Sequence, residues 1–187
     1  MKISNFTTIE LKDPQYIHPL AITYEQNGIL KKWELVKSHD SVAILLFHKE
    51  KNCFLLVKQF RPPVYLNNQT HKVTYELCAG IMDKNIDEID IAIEEIDEEV
   101  GYRVEKDQIQ RLTSFYTNVG VSGAKQVLFY AVIDESMKIH DGGGIHDEEI
   151  ELMYIPVKEA RTFIFDESKA KTPGLMFAFY WFFENQR

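Results

Sequence analysis

The sequence predicts a single mixed α/β (α+β) domain, a large sheet with helices packed against it. Three observations predict it. β-Rich runs alternate with turn signals through the first half and return after residue 110; between them the apolar period switches to a helical one; and a Thr-Pro pair opens an aromatic, apolar segment near the C-terminal end. At 187 residues, 45% hydrophobic and 12% aromatic, the chain suits one core of ordinary size, which leaves no room for a second full domain.

The elements follow in order. Runs from Ile17 to Tyr24 and from Ile29 to Val36 flank Gln26-Asn27-Gly28, and Asn-Gly between such runs predicts a hairpin. Runs from Ser41 to Phe47, Cys53 to Gln59 and Lys72 to Cys78 read as sheet strands, the last after a loop with Pro62-Pro63. From Ile86 onward, Ile89, Ile93, Ile96 and Val100 form the stripe of an amphipathic helix, and Gly101 stops it. Strand-like runs return at Arg111 to Tyr116, Gln126 to Ile133 and Glu149 to Ile155. Before the last of these stands Asp141-Gly-Gly-Gly144, a loop that can move. Thr172-Pro173 is an N-cap and first-turn signature, so a buried helix closes the chain.

Composition excludes several classes. A formal net charge of −8 and a pI of about 5.3 disfavour nucleic acid as a polymer partner. The longest apolar stretch, from Gly174 to Phe183, is about half the roughly 20 residues of a membrane span. The first residues carry neither an apolar signal region nor an Arg-rich presequence, so a cytoplasmic setting is expected. Cys53 and Cys78 sit in apolar runs and are expected as buried, reduced thiols.

The helix is the chemically telling element. From Asp87 to Glu99 it carries eight carboxylates and no Lys or Arg. Glu94 with Glu98, and Glu95 with Glu99, are like-charge pairs one turn apart, each costing roughly 0.2–0.5 kcal/mol. A hard divalent cation, Mg²⁺ or Mn²⁺, would offset that repulsion, with Glu95, Glu98 and Glu99 as the ligand face. From charge alone, a solvated acidic flank is the more ordinary reading.

The surrounding pattern is more specific. Gly80 followed at a distance by Glu95-Ile-Asp-Glu-Glu-Val-Gly-Tyr102 resembles the signature box of the Nudix hydrolases: Gly, five residues, Glu, seven residues, then Arg-Glu-aliphatic-any-Glu-Glu-any-Gly-aliphatic. The resemblance implies a loop, helix and loop beside a mixed sheet sandwiched by helices. Two positions depart, Ile86 for the first Glu and Glu94 for the Arg. These partner each other in the family, so their joint loss implies a missing strut with Ile86 packing in its place. The resemblance also implies metal ligation by Glu95, Glu98, Glu99 and the Ala79 carbonyl, with Glu98, Glu99 and a loop carboxylate serving catalysis.

From Trp33 onward the likeness is nearest the nucleotide-sugar branch, carried by His39-Asp-Ser-Val42, Val57-Lys-Gln-Phe-Arg-Pro62, Glu76-Leu-Cys-Ala-Gly80, Gly142-Gly-Gly144 and Lys171-Thr-Pro-Gly174. Cys78, where ADP-ribose enzymes usually have Pro, favours a UDP-sugar over ADP-ribose or another ADP-sugar. Arg61, at a strand end, suits bidentate contact to a diphosphate. Gln59 and Glu76 join it as substrate-binding candidates, while strand alternation allows only one of Lys58 and Gln59 to share the site. The resemblance favours Glu148 over Glu149 as the loop carboxylate; His146 is a lesser candidate base. Residues 1–38 are expected to form a β extension that joins two subunits into a homodimer, and 39–187 the catalytic unit. The alternatives are a catalytically silent Nudix-fold nucleotide sensor, motivated by Ile86 and Glu94, and an acidic protein-interaction module.

Overall fold

The computed structural model describes residues 3–14, 17–145 and 148–186. Strands β1 (His18–Gln26) and β2 (Ile29–Lys37) form a separate two-stranded antiparallel sheet. Asn27 and Gly28 join them at φ +56° and +76°, the paired positive values that let a two-residue turn follow the strand twist. The Asn-Gly hairpin therefore forms where the sequence places it. Trp33 Nε1–H donates to the Gly120 carbonyl at 3.1 Å, and Val36 N–H to the Val121 carbonyl at 2.9 Å, tying the hairpin to the main body.

The main sheet begins with β3 (Ser41–His48) and β4 (Cys53–Gln59), followed by a short helix, α1 (Pro62–Asn67), and then β5 (Thr74–Glu76) and β6 (Cys78–Ile81). After helix α2 (Glu88–Glu95) and a π-helical turn over Ile96–Val100 come β7 (Ile109–Tyr116), β8 (Lys125–Ile133) and β9 (Glu151–Pro156). Helix α3 (Val157–Phe165), the short β10 (Ala170–Lys171) and helix α4 (Pro173–Asn185) complete the chain.

Central strand β3 runs parallel to β8, Ser41 opposite Gln126. Its other edge is shared: residues 41–44 pair with β6 and residues 46–48 with β4. Toward its C-terminal end β4 pairs instead with β5, Val57 opposite Glu76. The β5–β6 segment is thus wedged where β3 and β4 splay apart, and this wedge positions the site.

Both faces of the sheet are covered. β3 sends Val42, Ile44 and Leu46 to one core and Ala43 and Leu45 to the other; β8 divides in the same way. That is why these strands read as continuous apolar runs instead of alternating with polar residues. The first core meets α2 and the π-turn through Ile91, Ala92, Ile96 and Val100. The second meets α3 and α4, where Phe54 stacks on Phe179 with ring centroids 4.3 Å apart.

Four details differ from the sequence reading. Pro62-Pro63 opens α1, because the first helical turn needs no N–H from those residues. The run from Lys72 to Cys78 is two strands broken at Leu77. An additional helix, α3, follows β9. The closing helix is capped by Thr172 as expected, its Oγ1 accepting the Leu175 N–H at 3.4 Å, but it is buried on one side only: Phe179 and Phe182 face the core while Phe177 and Tyr180 are exposed. Cys53 and Cys78 are buried and unbridged. Among the described residues no helix is long and apolar enough to cross a membrane.

Candidate functional site

The acidic helix is held by its apolar stripe. Ile96 and Val100 are buried, and Ile89 and Ile93 pack beside them, so the turns between present their carboxylates from a fixed base. Over Ile96–Val100 the helix widens, and the Gly101 N–H reaches both the Ile96 and Asp97 carbonyls. Gly101 itself is left-handed at φ +75°, which turns the chain out of the helix.

A cleft of about 340 Å³ opens in the wedge between β3 and β4. Ala79, Gly80 and Ile81 line it from β6, Glu95 and Glu99 from the helix, Gln59, Arg61 and Glu76 from the β4–β5 side, and Glu148 from the segment before β9. Seven residues singled out in the sequence therefore converge: Gln59, Arg61, Glu76, Ala79, Glu95, Glu99 and Glu148. Glu98 is half-buried but does not line the cleft; its charge acts on Glu95. Of the two loop carboxylates, Glu148 faces the cleft and Glu149 is exposed outside it. Gln59 lines the cleft, whereas Lys58 is engaged elsewhere, its Nζ 2.8 Å from Glu151 Oε2. His146 lies outside the described residues.

Burial dominates the electrostatics. Glu99, only 5% exposed, is pushed up to about 8 by burial, against which the Ala79 N–H works by donating to Oε2 at 2.9 Å; neighbouring Glu95 pushes it up further. Glu95 is raised to about 7 by burial and then by the charges of Glu98 and Glu148. Both also sit near the C-terminal end of the helix, where the macrodipole disfavours anions. On Glu99 the structure thus places the Ala79 N–H, beside the carbonyl that the family pattern implies. Gly80 lets Glu95 lie flat on the strand, since a Cβ there would stand 1.8 Å from Glu95 Oε1.

These residues fit a divalent cation. The donors are hard carboxylate oxygens, they are crowded with like charge, and burial raises the cost of leaving that charge uncompensated. Among the described residues, no group of three His, Cys, Asp or Glu side chains is already placed to hold a metal ion.

Arg61 is partly committed. Its Nε and Nη2 both donate to Glu76, each at 2.9 Å, and Thr74 Oγ1 donates to the same carboxylate. The bidentate fork leaves Nη1 for a ligand and makes Glu76 the group that orients Arg61. Ser41, which the sequence offers only within the His39-Asp-Ser-Val42 motif, and Gln126, which belongs to no motif, also line the cleft, with Gln126 Nε2 donating to Ser41 Oγ at 3.1 Å.

The two departing box positions have a structural answer different from the one expected. Ile86 is 42% exposed and does not pack in place of a strut. Instead Lys84 Nζ bonds Glu94 Oε2, so a loop-to-helix ion pair is present with its charges reversed and its loop partner two residues earlier. Both partners are about half exposed, so solvent screens the pair and it ties loop to helix only weakly.

No family model matches the chain. Over 196 residues it is 36% identical to the uridine diphosphate glucose pyrophosphatase of Bos taurus and 32% identical to that of Mus musculus, covering 90% of this chain and 88% of each relative. It is also 35% identical over 129 residues to the GDP-mannose pyrophosphatase of Cronobacter sakazakii, covering 69% of this chain and 66% of the relative.

Proposed function

The chain belongs to the Nudix hydrolases, in their nucleotide-sugar diphosphatase branch, and on that premise we propose that it cleaves the diphosphate bond of a UDP-sugar such as UDP-glucose, with Mg²⁺ or Mn²⁺ held by Glu95, Glu98 and Glu99. The observation that carries this reading is the convergence of Glu95, Glu99, Arg61 and Glu148 on one cleft. A bound divalent ion supplies positive charge to the diphosphate and makes water a better nucleophile near neutral pH.

The chain's own groups divide the remaining work. Arg61, aimed by Glu76, neutralises diphosphate oxygens through Nη1. Glu148 accepts the proton of the attacking water, and the products are a nucleoside monophosphate and a sugar phosphate. Local positive charge at the site outweighs the distant field of a −8 protein, because screening limits that field to about 8 Å at physiological ionic strength. Release of monophosphate from UDP-glucose, UDP-galactose, ADP-ribose, ADP-glucose and GDP-mannose, with Mg²⁺ and with chelator, tests the proposal. Turnover of the UDP-sugars that chelator abolishes is the expected result. Binding of any of these ligands without turnover would make the chain a sensor.

The same reading includes a homodimer built on the hairpin. Leu20 faces Leu35 and Ile22 faces Trp33 across β1 and β2, so these four share one side of the ribbon. Leu20, Ile22 and Trp33 are 42–50% exposed in the single chain, an apolar face that a second copy would cover. Sedimentation equilibrium is expected to give twice the chain mass, and Ile22→Lys a monomer.

A further inference from the structure

The segment between β8 and β9 holds three consecutive glycines, which alone would suggest mobility, yet it is fastened to the acidic helix. Ile139 N–H and His140 N–H donate to the Gly101 carbonyl at 2.8 and 3.3 Å. Gly143 N–H donates to the Glu99 carbonyl at 2.8 Å and Gly144 N–H to the Glu98 carbonyl at 3.2 Å. The carbonyls that a helix end leaves without intrahelical partners are thereby capped by loop amides. The glycines serve close approach: a Cβ on Gly142 would stand 2.5 Å from the Glu99 carbonyl oxygen, and one on Gly144 2.7 Å from Glu148 Cβ.

The same bonds reach Glu148. Gly143 C=O accepts the Ile150 N–H at 3.2 Å, and the Glu148 carboxylate accepts the Ile145 N–H at 3.1 Å. The position of Glu148 is therefore referred back, through Gly143, to the backbone of Glu99. One side chain closes the arrangement. His140 Nδ1 accepts the Gly142 N–H at 3.0 Å, so Nε2 carries the proton, and it lies 2.8 Å from Asp97 Oδ1 on the helix.

We propose that His140 is a positioning residue: by bridging Asp97 and the Gly142 amide it latches the glycine segment onto the carbonyl end of the helix and so fixes Glu148 relative to Glu95 and Glu99. This rests on the reading of Glu148 as the proton acceptor. Without the latch, three glycines carry more backbone freedom than any other residues could, and small misplacements of a catalytic group are costly to rate.

The test uses the full chain with its best nucleotide sugar at saturating Mg²⁺. His140→Ala is expected to lower kcat roughly 10- to 100-fold, with KM and the melting temperature nearly unchanged and amide exchange at 141–145 accelerated. Asp97→Asn keeps an acceptor for Nε2–H and is expected to retain kcat, while Asp97→Ala matches His140→Ala. In a Glu148→Gln background, His140→Ala should cause no additional loss, because the group it positions is already absent. A near-normal kcat for His140→Ala, or a full multiplicative loss in the double variant, would overturn the proposal. If the wild-type protein hydrolyses nothing, the hydrolase reading fails; unchanged amide exchange in His140→Ala would then dispose of the latch separately.

Discussion

Glu99→Gln is expected to reduce nucleotide-sugar turnover by roughly 10²- to 10³-fold while the metal-free protein stays folded and, at pH 8, becomes more stable than wild type. The two effects share one cause. Glu99 sits at about 8 and Glu95 at about 7, against an ordinary value of 4.5. Between pH 4.5 and those values the folded chain binds protons that the unfolded chain has released, so stability declines as pH rises through that window. The metal-free wild type should therefore melt higher at pH 5 than at pH 8, and Glu99→Gln, lacking the larger of the two shifts, should show a flatter profile. Saturating Mg²⁺ should raise the wild-type midpoint at pH 8 and leave the variant nearly unmoved, because an ion that binds only the folded form stabilises it in proportion to its affinity. Thermal scans of both proteins at pH 5 and pH 8, with Mg²⁺ and with chelator, give every midpoint these comparisons need. A variant that loses activity and melts lower at both pH values would mean a damaged fold, and the metal assignment would stand without support.

Gly101→Ala should be strongly destabilising. The left-handed conformation at φ +75° costs an L-residue about 1–2 kcal/mol. The new Cβ would also meet the His140 carbonyl oxygen at 2.2 Å and the Gly142 nitrogen at 2.7 Å, both backbone atoms that have little room to retreat. Overpacking of that kind adds about 1–3 kcal/mol, for a total of about 2–5 kcal/mol in a urea titration. Because the methyl pushes on the segment that caps the helix, activity in the surviving folded fraction should fall too. Gly28→Ala is the control: its φ is +76° but nothing lies within 4 Å of its Cβ, so only the conformational part of the cost should appear. Equal losses at the two positions would show that the contact with the His140 carbonyl carries no weight.

How far the sequence leads depends on the range of the interaction. β3, β4, β7 and β8 are legible because burial on both faces makes each a local apolar run. The acidic helix is legible because its stripe repeats within four residues. The break at Leu77 is not, since Tyr75-Glu-Leu-Cys78 has no turn residue and the break arises from β5 pairing with β4 while β6 pairs with β3. Helix α3 does carry a local signal, since Val157, Ala160, Phe163 and Ile164 stand at helical spacing.

In the site, Glu95 and Glu99 were legible one turn apart, and both meet β6. The engagement of Arg61 by Glu76 was not, because it depends on a register between strands 15 residues apart. The Lys84–Glu94 pair is hidden for a related reason: its loop partner stands two residues before position 86, where the family pattern places the partner.

The parallel pairing of β3 with β8 has a consequence for how the molecule is made. Ser41 and Gln126 are 85 residues apart, and closing a loop of that length costs about 4 kcal/mol of chain entropy before any contact repays it. During synthesis the Val42–Leu46 stretch leaves the ribosome long before its main partner exists. β4 and β6, which emerge first and share its opposite edge, can shield only that edge in the interval. Until β8 follows, that other edge of β3 carries unpaired N–H and C=O groups, and an open strand edge is a template for pairing with another chain.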